Sequence, residues 1–182
     1  NNFAQVAIKV DNNSPYSAVL FLAETNQDDY FNHLSTLAKN GTKLSPEFEI
    51  QTTQEKCSIV LNHITKGRLY LIAGRQIITA EKLEVLSLTT SHKIDDGKPI
   101  QNVINHIIDC GGIPVIPWGF GKWIGHRGKV LEDLLKKHDF PYLFLGDNSG
   151  RPRFWSNPHY FELARKEGIP ILPGSDPLPF SS

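Results

Sequence analysis

Ile113-Pro114-Val115-Ile116-Pro117-Trp118-Gly119-Phe120-Gly121-Lys122-Trp123-Ile124-Gly125-His126-Arg127-Gly128-Lys129 reads as a short apolar strand that passes through a loop into a helix. Glycines and the basic side chains of Lys122, His126 and Arg127 crowd into the loop, beside Trp118 and Trp123. Backbone N–H groups left bare by glycine, together with cations at a helix start, are suited to holding an anion.

The same syntax recurs twice further on. Phe140-Pro141 precedes an apolar run and then Gly146-Asp147, and Ile169-Pro170 precedes Ile171-Leu172-Pro173 and then Gly174-Ser175-Asp176. Each run follows a helical segment and opens with proline, where a strand can spare an N–H. Helix alternating with strand in this rhythm argues for parallel strands joined by crossover helices. Their polar tips are then expected at one carboxyl edge, where ligands bind in open α/β sheets and β/α barrels alike.

Upstream the signals are shorter. Residues 5–10 alternate like a strand, and residues 18–23 and 69–73 are apolar throughout, as buried strands are. Residues 74–79 then read as the polar tip after 69–73, with 83–88 as a neighbouring strand. Residues 28–39 carry Tyr30, Phe31, Leu34, Leu37 and Ala38 at helical spacing and stop at Asn40-Gly41. Residues 47–51 and 57–61 look like a hairpin or a sheet edge. Pro99 opens an amphipathic helix with Ile100, Val103, Ile104, Ile107 and Ile108 on one stripe, ended by Gly111. A further helix spans 128–138, and Asn157-Pro158 starts a last one that runs to Gly168. Residues 177–180 read as a tail or as a wall beside the site. No linker interrupts the chain, which is expected to form a single domain over 1–182.

The 182 residues are 40% apolar, and 19 basic side chains balance 19 acidic ones. No overall field draws nucleic acid or a membrane surface, so anion affinity has to be local. No run is long enough to span a bilayer and no signal-peptide pattern opens the chain, which makes a cytoplasmic setting the expectation. Cys57 and Cys110 lack metal-type spacing and fit buried thiols. Met is absent even from position 1, so a trimmed N-terminus or lost Met positions are expected. Nothing in the chain speaks to oligomeric state.

Several polar residues fall at the expected strand ends: Arg75, Gln76, Trp118, Lys122, His126, Arg127, Asp147, Asn148, Arg151, Arg153, Ser175 and Asp176. The excess of cations over carboxylates points to a small anionic ligand held by guanidinium forks and backbone N–H groups. The alternative is that Arg75 and Arg151 pair with Asp147 and Asp176 to close the top of the sheet. The tryptophans either wall the pocket or pack the loops onto the sheet. The seven histidines never form His-X-His or His-X-X-X-His, spacings that would gather several side chains about 2–2.5 Å from one metal ion. Ser175 lacks the Gly-X-Ser-X-Gly elbow of a hydrolase triad. Glu24 and Glu84, at strands or strand ends, are further acid or base candidates.

Leu71-Ile72-Ala73-Gly74-Arg75-Gln76-Ile77, Gly111-Gly112-Ile113-Pro114-Val115-Ile116-Pro117 and Pro173-Gly174-Ser175-Asp176 resemble motifs of the PHP (polymerase and histidinol phosphatase) superfamily, within an uncharacterised PHP-like group. The likeness runs from about Leu69 to Pro179. It implies a distorted seven-stranded β/α barrel with its site at the C-terminal rim. It also implies hydrolase chemistry of the phosphoesterase type on a metal cluster. Most of that family's ligands are missing here: there is no His-X-His, Gln76 stands where a Glu belongs, Pro117-Trp118 occupies the His-Pro neighbourhood, and Leu178 replaces the last His. Asp176 alone matches a ligand. At most one divalent metal is therefore expected, and no trinuclear site.

Two functional readings follow. In one, the domain is a hydrolase acting on a phosphate- or carboxylate-bearing small molecule, with Asp176 or Asp147 and His126 as acid, base or single-metal ligand. In the other, it is a non-catalytic ligand-binding or sensor domain on a degenerate PHP scaffold.

Overall fold

The computed structural model describes residues 16–119, 121–137, 139–147 and 158–174. Nine strands and four helices follow one another along it: β1 (Tyr16–Glu24), α1 (Tyr30–Lys39), β2 (Lys43–Ser45), β3 (Phe48–Thr52), β4 (Ser58–His63), β5 (Gly67–Ile78), β6 (Glu84–Leu88), α2 (Ile100–Asp109), β7 (Ile113–Pro117), α3 (His126–Lys137), β8 (Phe144–Asp147), α4 (His159–Lys166) and β9 (Ile171–Pro173). The strand expected over 5–10, the tail over 177–180 and His138 lie outside the described residues.

All nine strands join one mixed sheet in the order β2-β3-β4-β5-β6-β7-β8-β9, with β1 paired to β5 in addition. This replaces the parallel seven-stranded β/α barrel expected from the sequence. The sheet is open, and β2 through β7 pair antiparallel in succession. The physical reason lies in the connections. Residues 64–66 and 79–83 are the whole links from β4 to β5 and from β5 to β6, too short for the crossover that a parallel pair needs. Only β1 with β5, β7 with β8 and β8 with β9 run parallel, each joined across at least one helix.

Strand β5 organises the rest. Ala73 N–H donates to Cys57 O at 2.8 Å and Thr79 N–H to Leu83 O at 2.9 Å, so odd-numbered residues turn their amides to one edge. Along that edge β4 comes first and β6 follows. The other edge carries β1 as far as Arg75, then the 96–97 turn, where Gly97 N–H reaches Ile78 O at 2.8 Å. The sheet thus divides into two halves that share one strand.

The strand residues buried under helices occupy one face in both halves, as the two-residue period requires. Ile50, Ile59, Leu71 and Ala73 pack with Phe31 and Ala38 of α1. Ile77, Val85, Ile116 and Leu145 pack under α2, α3 and α4 with Ile104, Ile107, Leu131, Leu135 and Phe161. The isoleucine stripe of α2 supplies Ile100, Val103, Ile104 and Ile107 to this second core. Among the described residues no helix is long and apolar enough to cross a membrane.

Candidate functional site

Strands β7, β8 and β9 end together. Pro117 pairs with Gly146 and Asp147 with Pro173. Trp118 N–H donates to Gly146 O and Gly174 N–H to Asp147 O, each at 2.7 Å. Trp118, Asp147 and Gly174 therefore share one carboxyl edge. Strand β6 runs the other way, so it brings its first residue there. Leu86 pairs with Val115, and continuing that register sets Glu84 level with Pro117.

The loop from Trp118 into α3 closes this edge. Lys122 N–H donates to Gly119 O at 3.0 Å, and Gly121 and Gly125 take φ of 72° and 63°, a left-handed conformation that glycine adopts without strain. Lys122 extends across Gly119, where an added Cβ would meet Lys122 Cε and Cγ at 2.9 Å, and its ammonium donates to the Glu84 carboxylate. Arg127 Nη2 donates to Gly121 O at 2.7 Å, tying the first turn of α3 back to the loop. His126 is exposed at the first position of that helix. Lys122, His126, Arg127 and Asp147 are thus brought to one edge, with Glu84 as a fifth member.

The tryptophans of this loop belong to the core. Trp118 and Trp123 are 5% and 6% exposed, and both sit in the cluster beneath α2, α3 and α4. Trp123 meets Tyr160 and Phe161 edge to face, with ring centroids 5.8 and 5.4 Å apart. Of the two roles open in the sequence, Trp118 takes that of packing the loop onto the sheet. Burial also pushes the Tyr160 hydroxyl above its ordinary value of 10.0. Gly128 allows that contact, since a Cβ there would run into the Tyr160 hydroxyl and lie 2.8 Å from Trp123 O.

Arg75 and Gln76 are placed differently from the sequence expectation. Both lie within β5 rather than in a loop at its tip, and Arg75 pairs with Ser87, which pairs in turn with Pro114 at the start of β7. Arg75 is 0% exposed. Its Nε donates to Ser91 O at 3.0 Å, Nη1 to Asp28 O at 2.8 Å and Nη2 to Asp29 Oδ1 at 2.7 Å, with Glu24 Oε2 3.8 Å from Nη1. The guanidinium is enclosed by protein oxygens where β1 meets α1, three residues of β7 away from the carboxyl edge. Its hydrogen bond holds the Asp29 carboxyl below its ordinary value of 3.8. Gln76 is half-buried and level with Leu86.

Asn148, Arg151, Arg153, Ser175 and Asp176, with the metal expected at Asp176, lie outside the described residues. Among the described residues no group of three or more His, Cys, Asp or Glu side chains is placed to hold a metal ion. The sequence named Glu84 as an acid or base candidate without giving it a place in the site. The missing signal was the strand direction: only an antiparallel β6 delivers its first residue to the edge where β7 and β8 end.

No protein-family model matches the chain. No curated protein matches its sequence. Among solved structures, PsfC from Pseudomonas syringae PB-5123 is similar, with a TM-score of 0.56 and 15% sequence identity over 96% of this chain and 66% of PsfC. At that identity the likeness is one of fold alone. The chain spans just under two thirds of PsfC.

Proposed function

We propose that this chain is a hydrolase-related, PHP-like domain that binds a small phosphate- or carboxylate-bearing molecule at the carboxyl edge of β7, β8 and β9. The observation that carries the reading is the common ending of those strands. It brings Asp147 to the same carboxyl edge as Trp118, from which the chain runs through the glycine-rich loop of Lys122 to His126 and Arg127 in the first turn of α3. The Arg127 guanidinium and the N-terminal end of α3 favour an anion along this edge, and Lys122 adds its charge once a ligand takes the place of Glu84. The hydrolase element of this reading rests on the motif likeness to the PHP superfamily alone, since the open mixed sheet is not that family's barrel.

In the catalytic form of this reading, Asp147 or Asp176 takes or gives a proton, with His126 as partner, while Lys122 and Arg127 stabilise charge that develops on the substrate oxygens. The second reading is a binding or sensor domain without turnover. Gln76 favours it, because an amide that cannot ionise stands where the family motif carries a glutamate.

Calorimetric titration of the whole chain with inorganic phosphate tests binding. Metal analysis and a phosphomonoester turnover assay on wild type and Asp176→Ala separate the two readings. Saturable phosphate binding that Lys122→Ala weakens supports the site. Metal-dependent turnover lost in Asp176→Ala makes it an enzyme, and metal-free binding without turnover makes it a sensor. No phosphate binding and no turnover refutes both.

A further inference from the structure

Lys122 is not an open cation at this edge. Its ammonium is engaged by Glu84, whose side chain is only 12% exposed while that of Lys122 is 45% exposed. The lysine stem lies in the space that Gly119 leaves free, the turn from Gly119 to Lys122 is hydrogen-bonded, and Arg127 fixes Gly121 from the other side. Two long side chains on a loose surface lose entropy in pairing and contribute little. Here the geometry is set beforehand by strand, turn and helix, so the carboxylate is delivered to the lysine at a high effective concentration.

Resting on the reading of this edge as an anion site, we propose that Glu84 is a built-in competitor: its carboxylate occupies on Lys122 the place that a ligand's anionic group takes. An incoming ligand has to outbid a tethered carboxylate. A monocarboxylate offers Lys122 no more than Glu84 already does, whereas a phosphate group brings a larger charge and three strong acceptor oxygens. The competitor therefore narrows the ligand class from anions in general to phosphate-bearing ones. Its second effect is to keep the ammonium neutralised when no ligand is present.

The experiment is a double-mutant cycle on the whole chain, with inorganic phosphate as probe at about pH 8, where phosphate groups are dianionic. Glu84→Gln is expected to tighten phosphate binding by about tenfold or more, and Lys122→Ala to weaken it. In the double variant the gain from Glu84→Gln is expected to vanish, because the competitor then has nothing to compete for. A gain that persists without Lys122 would mean simple repulsion of the ligand by Glu84 and would overturn the proposal. So would a Glu84→Gln variant that binds no tighter than wild type. In both cases a weakened Lys122→Ala leaves the anion site standing, whereas a Lys122→Ala variant with unchanged affinity removes the site and the competitor together. Should Glu84→Gln fail to fold, Glu84→Asp carries the same expectation, since it withdraws the charge from Lys122 by one methylene.

Discussion

Burying a guanidinium costs several kcal/mol in lost hydration, and Arg75 offsets that cost through oxygens from separate segments. Glu24 ends β1, Asp28 and Asp29 precede α1, and Ser91 lies between β6 and α2. Glu24 has a second task, since its carboxylate accepts the N–H groups of Tyr30 and Phe31 at the start of α1. Arg75→Met would leave Glu24 buried without its cation, and a loss of about 3–5 kcal/mol in urea unfolding is expected. Folded at low temperature, the same variant is expected to bind phosphate as wild type does, because Arg75 stands away from the carboxyl edge. Asp29 adds a pH dependence. Its native value is depressed by the Arg75 hydrogen bond, so the unfolded chain takes up the proton first. The stabilisation is complete above the ordinary value of 3.8 and disappears as pH falls through the lower native one. The urea-midpoint gap between wild type and Asp29→Asn is therefore expected to be open at about pH 6 and to narrow by about pH 3.

At the scale of elements, the sequence spoke clearly where local pattern and tertiary placement agree. The isoleucine stripe of α2 could be read directly, because its periodicity is the periodicity of its burial, and the runs that became β7 and β9 because each is a short apolar stretch opened by proline. Strand β5 runs on past the end of its apolar run at Ala73. Gly74 and Arg75 look like a loop until Arg75 is seen to have carboxylates around it, and those come from positions 24 and 29. Helix caps were hidden for the same reason. Neither Asp29 nor Pro99 caps its own helix by a side chain. Glu24 serves α1 from β1, and Glu81 accepts the Ile100 N–H at 3.0 and 3.2 Å from the turn between β5 and β6. Separations of that kind leave no trace in a window of sequence. Glu81→Ala is expected to lower stability by about 1 kcal/mol, as loss of an ordinary N-cap does. Thermal unfolding followed by circular dichroism checks it, and an unchanged midpoint would mean that water replaces the carboxylate at no cost.

At the scale of the whole molecule, the question is whether two half-sheets with separate cores behave as one unit. Phe31 is 2% exposed in the core under α1, while Trp118 and Trp123 belong to the core under α2, α3 and α4. Strand β5 places Leu71 and Ala73 in the first core and Ile77 in the second, and Arg75 between them ties in β1 and α1. A strand cannot keep half its ladder while the other half melts without exposing unpaired amides, and losing α1 would leave Arg75 without its partners. Cooperative unfolding of the described halves follows from that shared strand. Phe31→Ala should cost about 3–5 kcal/mol through the cavity it opens. In a chain of this size that is a fall of on the order of 10 °C in Tm. The informative readout is tryptophan fluorescence, because Trp118 and Trp123 lie in the other core and, among the described residues, no tryptophan lies in the core that the substitution damages. The fluorescence transition is expected to move down together with the circular-dichroism transition and to remain superimposed on it. A fluorescence midpoint that stays at the wild-type temperature while circular dichroism shows an earlier step would mean that the halves unfold independently, with β5 frayed at Arg75.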